Sequence, residues 1–144
     1  MSGAQPERQE LVHQWIFKAE EDLRAAEHLL ELGEGCPYGA VCFHAQQCAE
    51  KYLKALLVWE QIPFKRVHDI AELVALVPGA KRPSLPLRDQ DRLTHYAVAA
   101  RYPDEEPLGR EEATAALQTA REIRLAVGAW LPLVEMPPST QTGS

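Results

Sequence analysis

No stretch of the sequence approaches the roughly 18 uninterrupted apolar residues that a membrane-crossing helix needs, and the opening MSGAQPERQE lacks the apolar core of a signal peptide. The chain is therefore expected to be cytoplasmic, with no membrane among its partners. Positive charge is in short supply as well. A formal net charge of −6 leaves no global basic field to draw the protein onto nucleic acid, so any RNA contact has to be local. Cysteine is scarce: Cys36, Cys42 and Cys48 are odd in number and contain no CxxC, which gives neither a disulfide framework nor a zinc-knuckle spacing. They are expected to stay reduced, with the last two as packing groups on a helix. Nothing reads as a strand, and no internal repeat is seen at periods of roughly 20 to 50 residues.

What remains is helical. The chain has 144 residues, 46% hydrophobic and 25% charged, which suits one folded domain with a real core. From Glu7 to Leu32, the residues Leu11, Val12, Trp15, Ile16, Ala19, Leu23, Ala26 and Leu30 recur at threes and fours and mark one face of a long helix. Gly33, Gly35 and Pro37 then make a tight turn, implying an antiparallel neighbour from about Tyr38 to Gln61. Asp69 with Glu72 three residues on signals a short third helix ahead of Leu73, Leu76 and Val77.

PGAKRPSLPL, with three prolines, reads as an irregular surface loop. A fourth helix is expected from Arg88 to about Arg101, with Leu93, Tyr96, Ala97 and Ala100 on its face. A fifth starts at Glu111 and Glu112 and carries Ala113, Ala116, Leu117, Ala120, Ile123, Val127, Trp130 and Leu131. The expected architecture is all-α: an up-and-down antiparallel bundle of four long helices plus a short one over residues 7–132, between a disordered start at 1–6 and a disordered tail at 133–144.

The second helix holds the stretch FHAQQCAEKYLKALL, whose polar residues raise the question of function. At about 100° per residue, Val41, Ala45, Cys48, Tyr52, Ala55, Leu56 and Trp59 form one broad apolar arc, widened by Cys42, Ala49 and Leu53. Opposite it lie Gln47, Glu50, Lys51 and Lys54, with His44 at the edge. This strip is expected to be a solvated face in which Glu50 and Lys54 form an i,i+4 pair worth a few tenths of a kcal/mol, or else part of a site. Gln46 falls inside the apolar sector, so its amide must find partners across helices or across a subunit interface. His44 has Cys48 one turn on, but two ligands without a third do not make a metal site. No metal and no cofactor are expected.

FHAQQCAEKYLKALL, followed by VHDIAELV and then YAVAARYPDEEP, resembles the prokaryotic HEPN domain over about residues 7 to 132. The resemblance implies a helical bundle that forms a homodimer and is commonly paired with a minimal nucleotidyltransferase, in many members as a toxin with its antitoxin. Some members act as metal-independent RNases through an Arg and a His separated by four to six residues at the dimer cleft. Arg88 and His95 have that spacing on the fourth helix, with Asp89 directly after the arginine as the motif prefers. Arg8 and His13 have it too, but at the start of the first helix, where the family does not place the pair. In the RNase reading His95 exchanges a proton with the ribose 2′-hydroxyl and Arg88 stabilises charge building on the phosphate. The plain alternative is a solvated helix face.

Arg101, Tyr102 and Asp104, around Pro103, are double-valued in the same way. They make either a helix stop, or a cluster in which Arg101 grips a phosphate, Tyr102 stacks on a base and Asp104 holds the arginine. Asp69 is explained by capping, whereas His68 beside it is not. Tyr96, next to His95, is a candidate for nucleotidylation by a partner transferase. Together these residues support a module binding a nucleotide or RNA and a nucleotidyltransferase partner, through His44, Gln46, Gln47, Lys51, His68, Arg101, Tyr102 and Asp104. The alternatives are an RNase toxin using Arg88 and His95, and a non-catalytic scaffold.

Overall fold

The computed structural model describes residues 4–104 and 106–132, and the expected tail at 133–144 lies outside them. Five α-helices follow one another: α1 (Ala4–Leu30), α2 (Tyr38–Trp59), α3 (Ile70–Leu76), α4 (Leu87–Ala99) and α5 (Arg110–Gly128). No strand occurs among the described residues. The chain is all-α, as the periodicity requires.

α1 begins at Ala4, so residues 4–6, expected to be irregular, are helical. Gly33 and Gly35 adopt positive φ, 66° and 87°, in the turn that reverses the chain into α2. The antiparallel pairing shows in the contacts: Arg8 stacks on Trp59, Glu20 meets Tyr52 and Asp22 meets His44, so α1 runs back along α2. Asp69 caps α3 by accepting from the Glu72 amide at 3.0 Å. The proline-rich loop is not wholly irregular, because Gly79–Lys81 form a single 3₁₀ turn. There Arg82 donates to the carbonyls of Val77 and Ala75, which α3 leaves without helical partners.

α2 is the central element and packs against all four other helices. It exposes no residue fully between Tyr38 and Trp59. Its Tyr52, Leu53, Leu56 and Leu57 are entirely buried, together with Ile16 and Val12 of α1, Leu93 of α4 and Leu117 and Ile123 of α5. Three details differ from the periodicity. Leu11 is exposed because α2 covers the Val12–Ile16 side of α1. Ala100 is exposed while Ala99 is buried. α5 ends at Gly128, so Trp130 leaves the stripe, is exposed, and sits under Lys81 at 5.3 Å.

Tyr96 turns toward α5, where it lines a small gap with Leu93, Ala116 and Thr119, and burial raises its phenol. It is thus not presented beside the exposed His95.

The packing predicts a sharp contrast between two leucines. Leu53→Ala, at a site with no exposure, should lower unfolding free energy by about 2 to 5 kcal/mol. Leu125→Ala, at a site 73% exposed, should stay within about 0.5 kcal/mol of the wild type. Chemical denaturation of both variants checks this, and similar losses would mean that α2 is not the centre of the core.

Candidate functional site

The face of α2 opposite its apolar arc is not a solvated strip. Glu50 and Lys54 are buried, because α1 closes on one side and the segment leading into α3 closes on the other. At the far end Trp15 of α1 and Phe64 meet edge to face at 6.4 Å, and the Lys54 ammonium lies 5.7 Å from each ring. The expected pair forms, with Lys54 Nζ donating to Glu50 Oε2 at 2.9 Å. It is enclosed rather than surface-screened, so breaking it costs far more than a helix-surface pair would.

Glu50 gathers three donors. Besides Lys54, Gln46 Nε2 donates to its Oε1 at 3.0 Å and His68 Nδ1 to its Oε2 at 3.1 Å. Burial alone would raise this carboxyl, but the bonds from Lys54, Gln46 and His68 outweigh burial and hold it below the ordinary carboxylate range. Gln46 is 2% exposed, and the same Nε2 also reaches the His68 carbonyl at 3.1 Å. Its remaining oxygen accepts from Gln47 Nε2 at 2.8 Å. The buried amide predicted from phase thus finds its partners within the chain, on α2 and in the segment leading into α3.

On the α1 side Asp22 does parallel work. Its two oxygens take His44 Nδ1 at 2.8 Å and Lys51 Nζ at 2.5 Å. Because carboxylates only accept, both His44 and His68 turn Nδ1–H toward an acid. Below this layer Glu20, Tyr52 and Arg124 form a second network. Tyr52 donates to Glu20, and Arg124 reaches both Glu20 oxygens at 2.6 and 3.2 Å. Burial, then the neighbouring Glu20, push the Tyr52 phenol up beyond any physiological titration.

What α2 leaves open is narrow. Its half-buried residues between Gly39 and Val58 are Ala40, Phe43, His44, Gln47 and Lys51. The Arg101 guanidinium lies over Phe43, 5.3 Å from the ring centroid, and Phe43 meets His44 edge to face at 5.5 Å. His68 flanks the strip with its side chain 73% exposed. The structure therefore brings together His44, Gln46, Gln47, Lys51, His68 and Arg101. Asp104 does not hold Arg101: no hydrogen bond or ion pair joins them among the described residues, because the aromatic face of Phe43 takes the guanidinium instead. Tyr102 and Asp104 are exposed at the end of α4. Arg88 and His95 stand apart, both exposed on one side of α4, with Arg88 the second residue of that helix.

This bundle, with its glutamine-bearing central helix, matches the HEPN domain family model over residues 12–130. The chain belongs to the HEPN domain family. Among solved structures it is similar to TT1696 from Thermus thermophilus, at 32% identity and a TM-score of 0.68, covering 82% of this chain and 96% of that one. It is similar also to ST0689, an archaeal HEPN homologue, at 26% identity and a TM-score of 0.61, covering 84% and 98%. No curated protein matches.

Asp22, Glu20 and Arg124 of this HEPN domain were not singled out from sequence. Asp22 lies seven residues after Trp15 and hence on the same side of α1, which is the signal that turns it toward the polar face of α2.

Because the Glu50 carboxyl is held low, the stability it contributes is full above the ordinary carboxylate pKa of about 4.3 and is lost as pH falls through its lowered folded value. Glu50→Gln should cost about 3 to 5 kcal/mol at pH 7 by leaving Lys54 buried and unpaired. The gap from wild type should begin to narrow below the ordinary carboxylate pKa of about 4.3, where the unfolded chain takes up a proton that the folded carboxylate still resists, and close further as the folded carboxyl is protonated at lower pH. Denaturation of both proteins from pH 7 to pH 3 tests this, and a gap that stays constant would show that Glu50 is not the titrating group.

Proposed function

We propose that this HEPN domain is a binding module that takes a nucleotide, free or within RNA, on the open strip of α2. It acts as a homodimer paired with a minimal nucleotidyltransferase. One observation carries the reading. Side chains from α2, the start of α3 and the end of α4 converge on the strip of the central helix that its neighbours leave uncovered, and their carboxylates lie in the deeper layer. Lys51 and Arg101 supply charge for phosphate, Phe43 supplies an aromatic ring, and Gln47 supplies an amide. The nucleotidyltransferase is the partner that the resemblance implies. The second copy has a candidate seat on α4, where Leu87 and Val98 are exposed beside Arg88 and His95.

A nucleotide at 100 times its Kd adds about 2.7 kcal/mol to the folded state, which for a domain of this size raises Tm by roughly 5 to 10 °C. Thermal melts with a nucleotide panel should show that rise, and the double variant Lys51→Ala, Arg101→Ala should abolish it. No rise with any nucleotide, together with no complex on co-expression with a nucleotidyltransferase, would overturn the binding module and favour the scaffold.

The RNase reading keeps one observation in its favour: Arg88 and His95 share an exposed face of α4, and the arginine lies in the first turn of the helix with Asp89 after it. In that case His95→Ala removes RNA cleavage while Lys51→Ala retains it. Cleavage unchanged by His95→Ala would dismiss this pair.

A further inference from the structure

The hydrogen bonds around Glu50 have a direction, and it can be followed outward. Glu50 is an ionised carboxylate held by Lys54 at 2.9 Å, so it only accepts. Gln46 must therefore turn its NH2 to Glu50, an orientation fixed a second time by the His68 carbonyl, another pure acceptor at 3.1 Å. With both N–H groups committed, Gln46 has only its oxygen to offer Gln47, which must donate to it at 2.8 Å. The Gln47 amide is thereby fixed too. Its Oε1 accepts no hydrogen bond among the described residues and belongs to a half-buried side chain on the open strip. An amide on a surface normally turns over at small cost. Here a flip would set oxygen against oxygen at Gln46.

We propose that Gln47 is the residue by which this groove distinguishes one base from another, and that it selects a purine bearing an exocyclic amino group at carbon 6 over one bearing an oxygen there. The inference rests on the nucleotide-binding reading above and names the ligand class of the same groove. With the phosphate on Arg101 setting the ligand's orientation, a 6-amino group donates to Gln47 Oε1, and the remaining Gln47 N–H faces the adjacent ring nitrogen. A 6-oxo purine held the same way puts its oxygen against Oε1 and its ring N–H against the amide N–H. Both contacts become repulsive, and the relay to Glu50 blocks the flip that would relieve them.

Adenosine and inosine 5′-monophosphates differ only at this edge, so calorimetric titration of the full chain with each is the test. Wild type should bind the adenosine form at least about tenfold more tightly. Gln47→Met, on a half-buried surface position, should bring the two within about twofold while phosphate-driven binding persists. Gln46→Met, which leaves Glu50 to Lys54 and His68, should release the Gln47 amide and shrink the ratio as well. Equal affinities in wild type, or a ratio untouched by Gln47→Met, would overturn this inference and leave nucleotide binding standing. A ratio that survives Gln46→Met but not Gln47→Met would overturn the fixed relay. Binding of neither nucleotide would overturn both readings at once.

Discussion

Glu50 is enclosed between α1 and the approach to α3, and its charge is the constraint from which the polar face of α2 takes its form. A carboxylate in that position is tolerable only if it is fully bonded: Lys54 one turn along α2 and Gln46 one turn back supply two donors, and His68 reaches it across a loop. Satisfying Glu50 thus fixes where residues 62–69 lie against α2. That placement brings Phe64 over Lys54 and leaves His68 beside the open strip. The amide chain to Gln47 is a further consequence. A hydrophobic pair of the same volume would hold the helices together as well, but would dictate no direction to the amides above it.

The second polar network has a different task. Glu20, Tyr52 and Arg124 come one each from α1, α2 and α5, and they lie where those three helices meet. α1 and α5 touch each other little, although both lie heavily on α2. Shape alone would let either slide along α2 by a turn. Sliding would strand a buried phenol and a buried carboxylate, each costing about 1 to 3 kcal/mol or more, so the network sets register. The more exposed Arg121–Glu27 pair at 2.7 Å repeats the pattern two turns further along α1 with much less at stake.

The helices were legible because their apolar residues repeat at threes and fours, a signal within each segment. Gln46 was legible for the same reason, since its phase on α2 places it in the apolar sector whatever lies beside it. Glu50 and Lys54 were not. Their phase says only that they oppose the main core, and whether that side is wet depends on Trp15 and Phe64, 39 residues before and 10 after Lys54 in the chain, closing over it. Asp22 was hidden for the related reason that an acid on a helix flank is ordinary until a histidine and a lysine from another helix arrive at it. Arg101 shows the opposite error. Sequence proximity suggested Asp104 as its partner, whereas Phe43, far off in the chain, lies beneath it because the end of α4 packs on the start of α2, where the Ala100 β-carbon sits 3.5 Å from the place a Gly39 side chain would occupy.

Two faces of this molecule remain open to partners, and they differ in kind. The outer side of α4, with Leu87, Arg88, His95 and Val98, is exposed and backed by no polar network among the described residues, so its side chains take whatever conformation a partner imposes. The strip on α2 is half-buried, and its polar groups are anchored from beneath: His44 by Asp22, Gln47 by Gln46, Lys51 by Asp22. Anchored groups lose little entropy when a small ligand arrives, and that favours a ligand with few atoms to offer in return. A broad, adaptable face suits a macromolecule that brings area. The two meet at the end of α4, where Val98 of the outer face stands one turn before Arg101 of the strip, so the adaptable face and the anchored one adjoin without a hydrogen bond between their side chains among the described residues.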